Sequence, residues 1–118
     1  MKTPEGKIKD KVKEYLKSIG AYYFMPVQMG YGAPSVDLLV CYKGFFIAIE
    51  TKAPGKEPTK RQDVTMEAMC EAGAICIWGD NADEIIAIVA RAQALIDDEV
   101  TGAVVAIVPM SGAINTYK

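Results

Sequence analysis

The sequence predicts an α/β fold in which helices cover a small β-sheet, and three observations lead there. Residues 38–42 and 45–49 are nearly continuous apolar runs, the pattern of strands covered on both faces. Stretches with helical spacing lie on either side of them, each opened by a capping Thr and closed by a Gly. Finally, 118 residues with 51% apolar content suit one domain with a modest core, not a disordered chain. The expected order is αβββαβ. The core spans about residues 4–79, and a further helix and strand within 80–118 complete a single domain, 1–118.

The first helix begins at Thr3-Pro4, with Thr3 as N-cap and Pro4 in the first turn, and runs to about Ile19 before Gly20. Ile8, Val12, Tyr15, Leu16 and Ile19 form its apolar stripe. Glu5 falls on the same stripe, whereas Asp10 and Glu14 lie opposite. Glu5 either complements the helix dipole or points inward. Lys7, Lys9, Lys11, Lys13 and Lys17 cover the other faces, where phosphates could meet them. Residues 21–28 read as a strand ending near Pro26. A Gly- and Pro-rich loop over 30–34 follows, and its Tyr31 either stacks on a base or packs.

Lys43-Gly44 joins the two apolar runs, because Gly readily supplies the positive φ of a tight hairpin. Residues 53–58 form a loop. Thr59 caps a helix from about Lys60 to Ala72, closed by Gly73. Gln62 shares a stripe of that helix with Met66 and Met69, a polar group on an apolar face. It is either partly solvated in the first turn or partnered by a polar network. Residues 74–78 form a short strand beside the hairpin. Asp80 or Asn81 caps a third helix to about Asp98, whose Ala-rich face suits a second subunit. Residues 102–109 read as one more strand, which extends this sheet or pairs with a partner chain.

The hairpin carries the chemistry. If Tyr42 faces Phe45, then Asp37 stands opposite Glu50, and Glu50 and Lys52 share a face. Like charges directly opposite one another destabilise a sheet. A divalent cation removes the conflict, and carboxylate oxygens select Mg²⁺ or Mn²⁺. Lys52 beside them can stabilise charge developing on a substrate oxygen. The chain has no histidine, which excludes Ser-His and Cys-His triads and histidine-based zinc or nuclease sites. Cys41, Cys70 and Cys76 lack metal spacing and read as buried free thiols.

The net charge of −2 hides an asymmetry. Residues 1–61 carry 11 Lys/Arg against 6 Asp/Glu, and residues 62–118 carry 2 against 9. The basic half holds the acidic pair, as a phosphodiester substrate requires. No apolar run reaches the length of a membrane span and no signal peptide opens the chain, so no membrane partner and a cytoplasmic location are expected.

Gly32-Ala33-Pro34, Asp37, Glu50-Thr51-Lys52, Pro54-Gly55 and Gln62 together resemble the PD-(D/E)xK nuclease superfamily, in particular its small stand-alone VRR-NUC proteins of phages and bacteria. The resemblance runs from about Glu5 to Trp78. The superfamily's Pro-Asp dipeptide is here opened to Pro34-Ser35-Val36-Asp37. The resemblance implies a restriction-endonuclease-like core with a central mixed β-sheet flanked by α-helices. It implies Asp37, Glu50, Lys52 and Gln62 as catalytic residues. The metal ligands would be Asp37, Glu50 and the Thr51 carbonyl, supplemented by Glu5. It also implies metal-dependent cleavage of DNA, four-way junctions among the substrates. A homodimer or higher homo-oligomer would suit a two-fold or branched substrate, and a helicase or other DNA-processing partner would supply targeting. Two other readings compete. One is a catalytically decayed nuclease-fold module that only binds DNA. The other is an oligomeric scaffold without nucleic acid.

Overall fold

The hairpin turn at Lys43-Gly44 sets the register of the sheet. Both residues have positive φ, 48° and 88°, the handedness that matches a two-residue loop to the twist of its strands. In the computed structural model, which describes residues 2–27 and 34–100, this turn joins β2 (Leu38–Tyr42) to β3 (Phe45–Thr51). The ladder pairs Tyr42 with Phe45 and continues to Leu38 with Ile49, the register the sequence predicts. The Lys43 side chain reaches α3 (Ala82–Val100). Its Nζ lies 2.7 Å from Asp97 Oδ1, which also accepts the Tyr42 hydroxyl at 2.8 Å.

The remaining described elements are α1 (Pro4–Ser18), β1 (Tyr22–Phe24), α2 (Lys60–Glu71) and β4 (Ile75–Gly79). The sheet order is β1-β2-β3-β4. β1 and β2 pair antiparallel, as do β2 and β3, while β4 returns through α2 to lie parallel to β3. The sheet is thus mixed and the order is αβββαβ, followed by α3. The caps follow local chemistry. Thr3 Oγ1 accepts the Gly6 N–H at the start of α1, and Asn81 Oδ1 accepts the Glu84 N–H at the start of α3.

Alternation divides the strand side chains between two layers. Leu38, Val40, Tyr42, Ile47, Ile49 and Ile77 pack under Ile8, Val12 and Leu16 of α1 and Ile85, Val89 and Ile96 of α3. On the other face, Val36, Ala48 and Cys76 meet Met66 of α2. This second face is covered only in part. Tyr22 is 72% exposed, Phe46 is 44% exposed and Cys41 is exposed. The expectation of buried thiols is therefore corrected for Cys41: it alternates onto the part of the sheet away from α2. Cys76 is buried and Cys70 half-buried, and all three are free. The first strand ends at Phe24 rather than near Pro26, and the third helix continues to Val100. Among the described residues no helix is long and apolar enough to cross a membrane. Tyr31 and the strand expected over 102–109 lie outside the described residues.

An added Cβ at Gly44 meets nothing within 4 Å, so its requirement for Gly is purely conformational. Gly44→Ala is expected to lower unfolding stability by about 1 kcal/mol, measured by urea denaturation.

Candidate active site

β3 and β4 run parallel and end side by side, with Glu50 beside Trp78 and Thr51 beside Gly79. Lys52 N–H donates to the Gly79 carbonyl at 2.9 Å, which holds the chain in line just past the strand. The carboxyl ends of parallel strands are where open α/β sheets collect ligands. Here that edge collects Asp37, Glu50, Thr51, Lys52 and Gln62, with Lys9 arriving from α1.

Asp37 lies one residue beyond the last ladder pair, Leu38 with Ile49, and so next to Glu50 as the hairpin register predicts. Its backbone leaves the ladder there. The Asp37 N–H donates to Glu50 Oε1 at 3.1 Å rather than to a backbone carbonyl. The Asp37 carboxylate reaches the neighbouring residue: Oδ2 accepts the Thr51 N–H at 3.0 Å and the Thr51 hydroxyl at 2.9 Å. Its other oxygen, Oδ1, faces Lys9 Nζ at 3.4 Å.

Glu50 is only 2% exposed. Its Oε2 accepts the Gln62 side-chain amide at 2.8 Å and lies 3.6 Å from Lys52 Nζ. Gln62 is fixed at both ends of its amide. Its Oε1 accepts the Thr59 N–H at 2.9 Å, while the Thr59 hydroxyl accepts the Gln62 N–H at 3.2 Å. This is a capping box, and the sequence Thr59-x-x-Gln62 builds it. The two alternatives for Gln62 are thus joined in one residue, which closes the first turn of α2 and orients a buried carboxylate.

Burial pushes the Glu50 carboxyl up from 4.5 to about 7, and the neighbouring Asp37 charge adds to the rise. Lys52 and the Asp37 N–H oppose it without cancelling it, and the charge on Glu5 pushes in the same upward direction. Glu5 sits half-buried in the first turn of α1 and is felt at Glu50. Among the described residues, however, no three acidic, His or Cys side chains gather as a metal cluster. A cation at this edge would be held first by the Asp37 and Glu50 carboxylates, with further oxygen donors completing the kind of shell Mg²⁺ favours. Two adjoining carboxylates, one of them raised to about 7 in spite of Lys52, offer oxygen donors that fit Mg²⁺ or Mn²⁺.

Sequence reasoning brought Asp37, Glu50, Lys52 and Gln62 together. It did not find two contacts. Thr51 was expected to offer its carbonyl, and the contacts it makes to Asp37 come from its N–H and hydroxyl. Lys9 was one of five helix lysines, with no reason to single it out. One signal could have done so, since it lies one turn from Glu5 on the inward side of α1. A further support is Asp80, whose Oδ2 accepts the Gly55 N–H at 2.8 Å and ties the loop after Lys52 to the end of β4.

No family model matches the chain, and no curated protein does. A solved structure described as a VRR_NUC domain is similar, with a TM-score of 0.66 at 21% identity, over 75% of this chain and 97% of that one. The chain therefore has the fold of a VRR_NUC nuclease domain, spanned almost end to end.

The raised Glu50 pKa predicts a pH signature of the metal-free protein. A carboxyl raised from 4.5 to about 7 on folding binds its proton more tightly in the folded state. Its contribution is fully present below pH 4.5 and is lost as pH rises through 7. Compared with Glu50→Gln, the wild type should lose on the order of 3 kcal/mol between pH 4.5 and 8. Urea denaturation of both proteins across that range in EDTA checks it, and parallel pH profiles would contradict it.

Proposed function

We propose that this chain is a metal-dependent DNA endonuclease that hydrolyses phosphodiester bonds. The observation supporting it most is Glu50, buried beside Asp37 with Lys52 and Gln62 on the same carboxylate, at the ligand-binding edge of a nuclease fold. A fold by itself does not carry an activity. The reading rests on this constellation of charge, which stability alone would not select.

In this reading Asp37 and Glu50 hold Mg²⁺ or Mn²⁺, the Thr51 carbonyl adds a ligand, and Glu5 supplements the site from α1. A bound divalent ion supplies a water of lowered pKa and shields the charge of the phosphate. The chain's own groups do the rest. Thr51 holds the Asp37 carboxylate through two donors, and Gln62 holds Glu50, so neither must reorganise when substrate arrives. Lys52, 3.6 Å from Glu50, places a positive charge where negative charge develops on the phosphate oxygens. The exposed Lys7, Lys11 and Lys17 of α1 meet flanking phosphates, which makes binding salt-dependent. One domain of this size covers little DNA. A homodimer acting on branched or two-fold substrates, with a helicase or similar partner for targeting, completes the proposal.

Cleavage of labelled duplex, single-strand, flap and four-way-junction DNA tests it, in Mg²⁺, Mn²⁺ or EDTA. The wild type should cut only with metal, and Asp37→Ala and Lys52→Ala should each lose about 10²-fold or more. Wild-type activity in Lys52→Ala, or cutting in EDTA, would refute the mechanism. Salt-sensitive binding with no cleavage would favour a DNA-binding module instead.

A further inference from the structure

Asp37 has one oxygen already occupied and one that faces a cation. Oδ2 accepts both Thr51 donors, so Oδ1 is the oxygen best placed to serve a metal. That oxygen faces Lys9 Nζ at 3.4 Å. The Lys9 side chain is 26% exposed, against 61% for Lys11 two residues on. Ile8 and Val12 on either side of it are buried under the sheet, which fixes where its stem leaves α1. Each carboxylate of the pair thus has its own lysine: Lys9 on Asp37 from α1, and Lys52 on Glu50 from the end of β3. The two lysines differ in origin. Lys52 is held beside its strand by the Gly79 carbonyl, whereas Lys9 spans from a helix on the other layer.

We propose that Lys9 is a resident counter-ion of Asp37 that competes with the divalent cation and yields it the oxygen when a DNA phosphate draws the ammonium away. The inference rests on the metal-site reading above. An ammonium and a divalent ion cannot share one carboxylate oxygen without strong repulsion. In the free protein Lys9 therefore weakens metal binding. A phosphate offers the ammonium a better-exposed anion within reach of its flexible four-carbon stem, and the freed Oδ1 then takes the metal. Metal and DNA become coupled ligands, and the coupling is reciprocal by thermodynamic necessity: each tightens the other by the same factor. Lys9 acts here through Asp37 and is a positioning residue. It keeps the site from loading metal fully before substrate is present.

The test is Mn²⁺ titration calorimetry of the full chain at fixed pH, without DNA and with a saturating duplex whose phosphorothioate linkages resist hydrolysis. Lys9→Met keeps the apolar stem and removes the charge, while Lys9→Arg keeps the charge. Without DNA, Lys9→Met should bind Mn²⁺ about tenfold more tightly than wild type, and Lys9→Arg should follow wild type. The duplex should tighten Mn²⁺ binding in wild type, and less so in Lys9→Met. Equal or weaker Mn²⁺ binding by Lys9→Met would overturn the inference, provided wild type binds better than Asp37→Asn. If wild type binds no better than Asp37→Asn, the metal site itself fails and the role of Lys9 fails with it.

Discussion

Glu50 buried beside Asp37 is the interaction on which the open end of the sheet depends. A carboxylate removed from water is costly unless its charge is answered by partners. Three partners are present: the Asp37 N–H, the Gln62 amide and, at longer range, Lys52. They do not suffice, because burial and the Asp37 charge still lift the carboxyl to about 7. The rest of the fold supports this tension. Ile47 and Ile49 fix β3 under α1 and α3, and Met66 with Cys76 fixes α2 over the other face. The apolar strands thus hold the buried Glu50 beside Asp37 in spite of that cost.

Much of this geometry was legible because it is local. A two-residue turn with Gly44 determines which residues oppose each other, and the ladder follows from it one pair at a time. Thr59 was legible as the cap of α2, but its reciprocal capping box with Gln62 came only from the structure. What was not legible depends on how layers are placed. Helical spacing places Lys9 one turn from Glu5, but that its ammonium ends on Asp37 depends on the angle of α1 across the sheet, which the spacing does not encode. Alternation assigns Cys41 and Phe46 to a face, but not whether α2 extends over it. The hairpin register predicts that Asp37 and Glu50 meet. It does not predict that Asp37 leaves the ladder and turns its carboxylate to Thr51.

The likeness to a VRR_NUC domain bears on the fold, and the site chemistry is a separate argument for the proposed activity. The likeness is one of fold, at 21% identity. The chemistry stands on residues: an oxygen-only donor set, a lysine on each carboxylate, and a helix cap recruited to orient one of them. Gln62 shows how little sequence this requires. One side chain closes a helix and positions an acid, so losing it would disturb stability and site together.

The central claim is that this acidic pair is a cation site, and the most direct measurement is the melting temperature of the purified protein as Mn²⁺ is added at pH 7.5. Binding to the folded state alone raises stability with the logarithm of ligand concentration. Wild type should therefore melt at progressively higher temperature, and Glu50→Gln should show little or no shift. An unchanged wild-type melting temperature, or equal shifts in both proteins, would contradict the account.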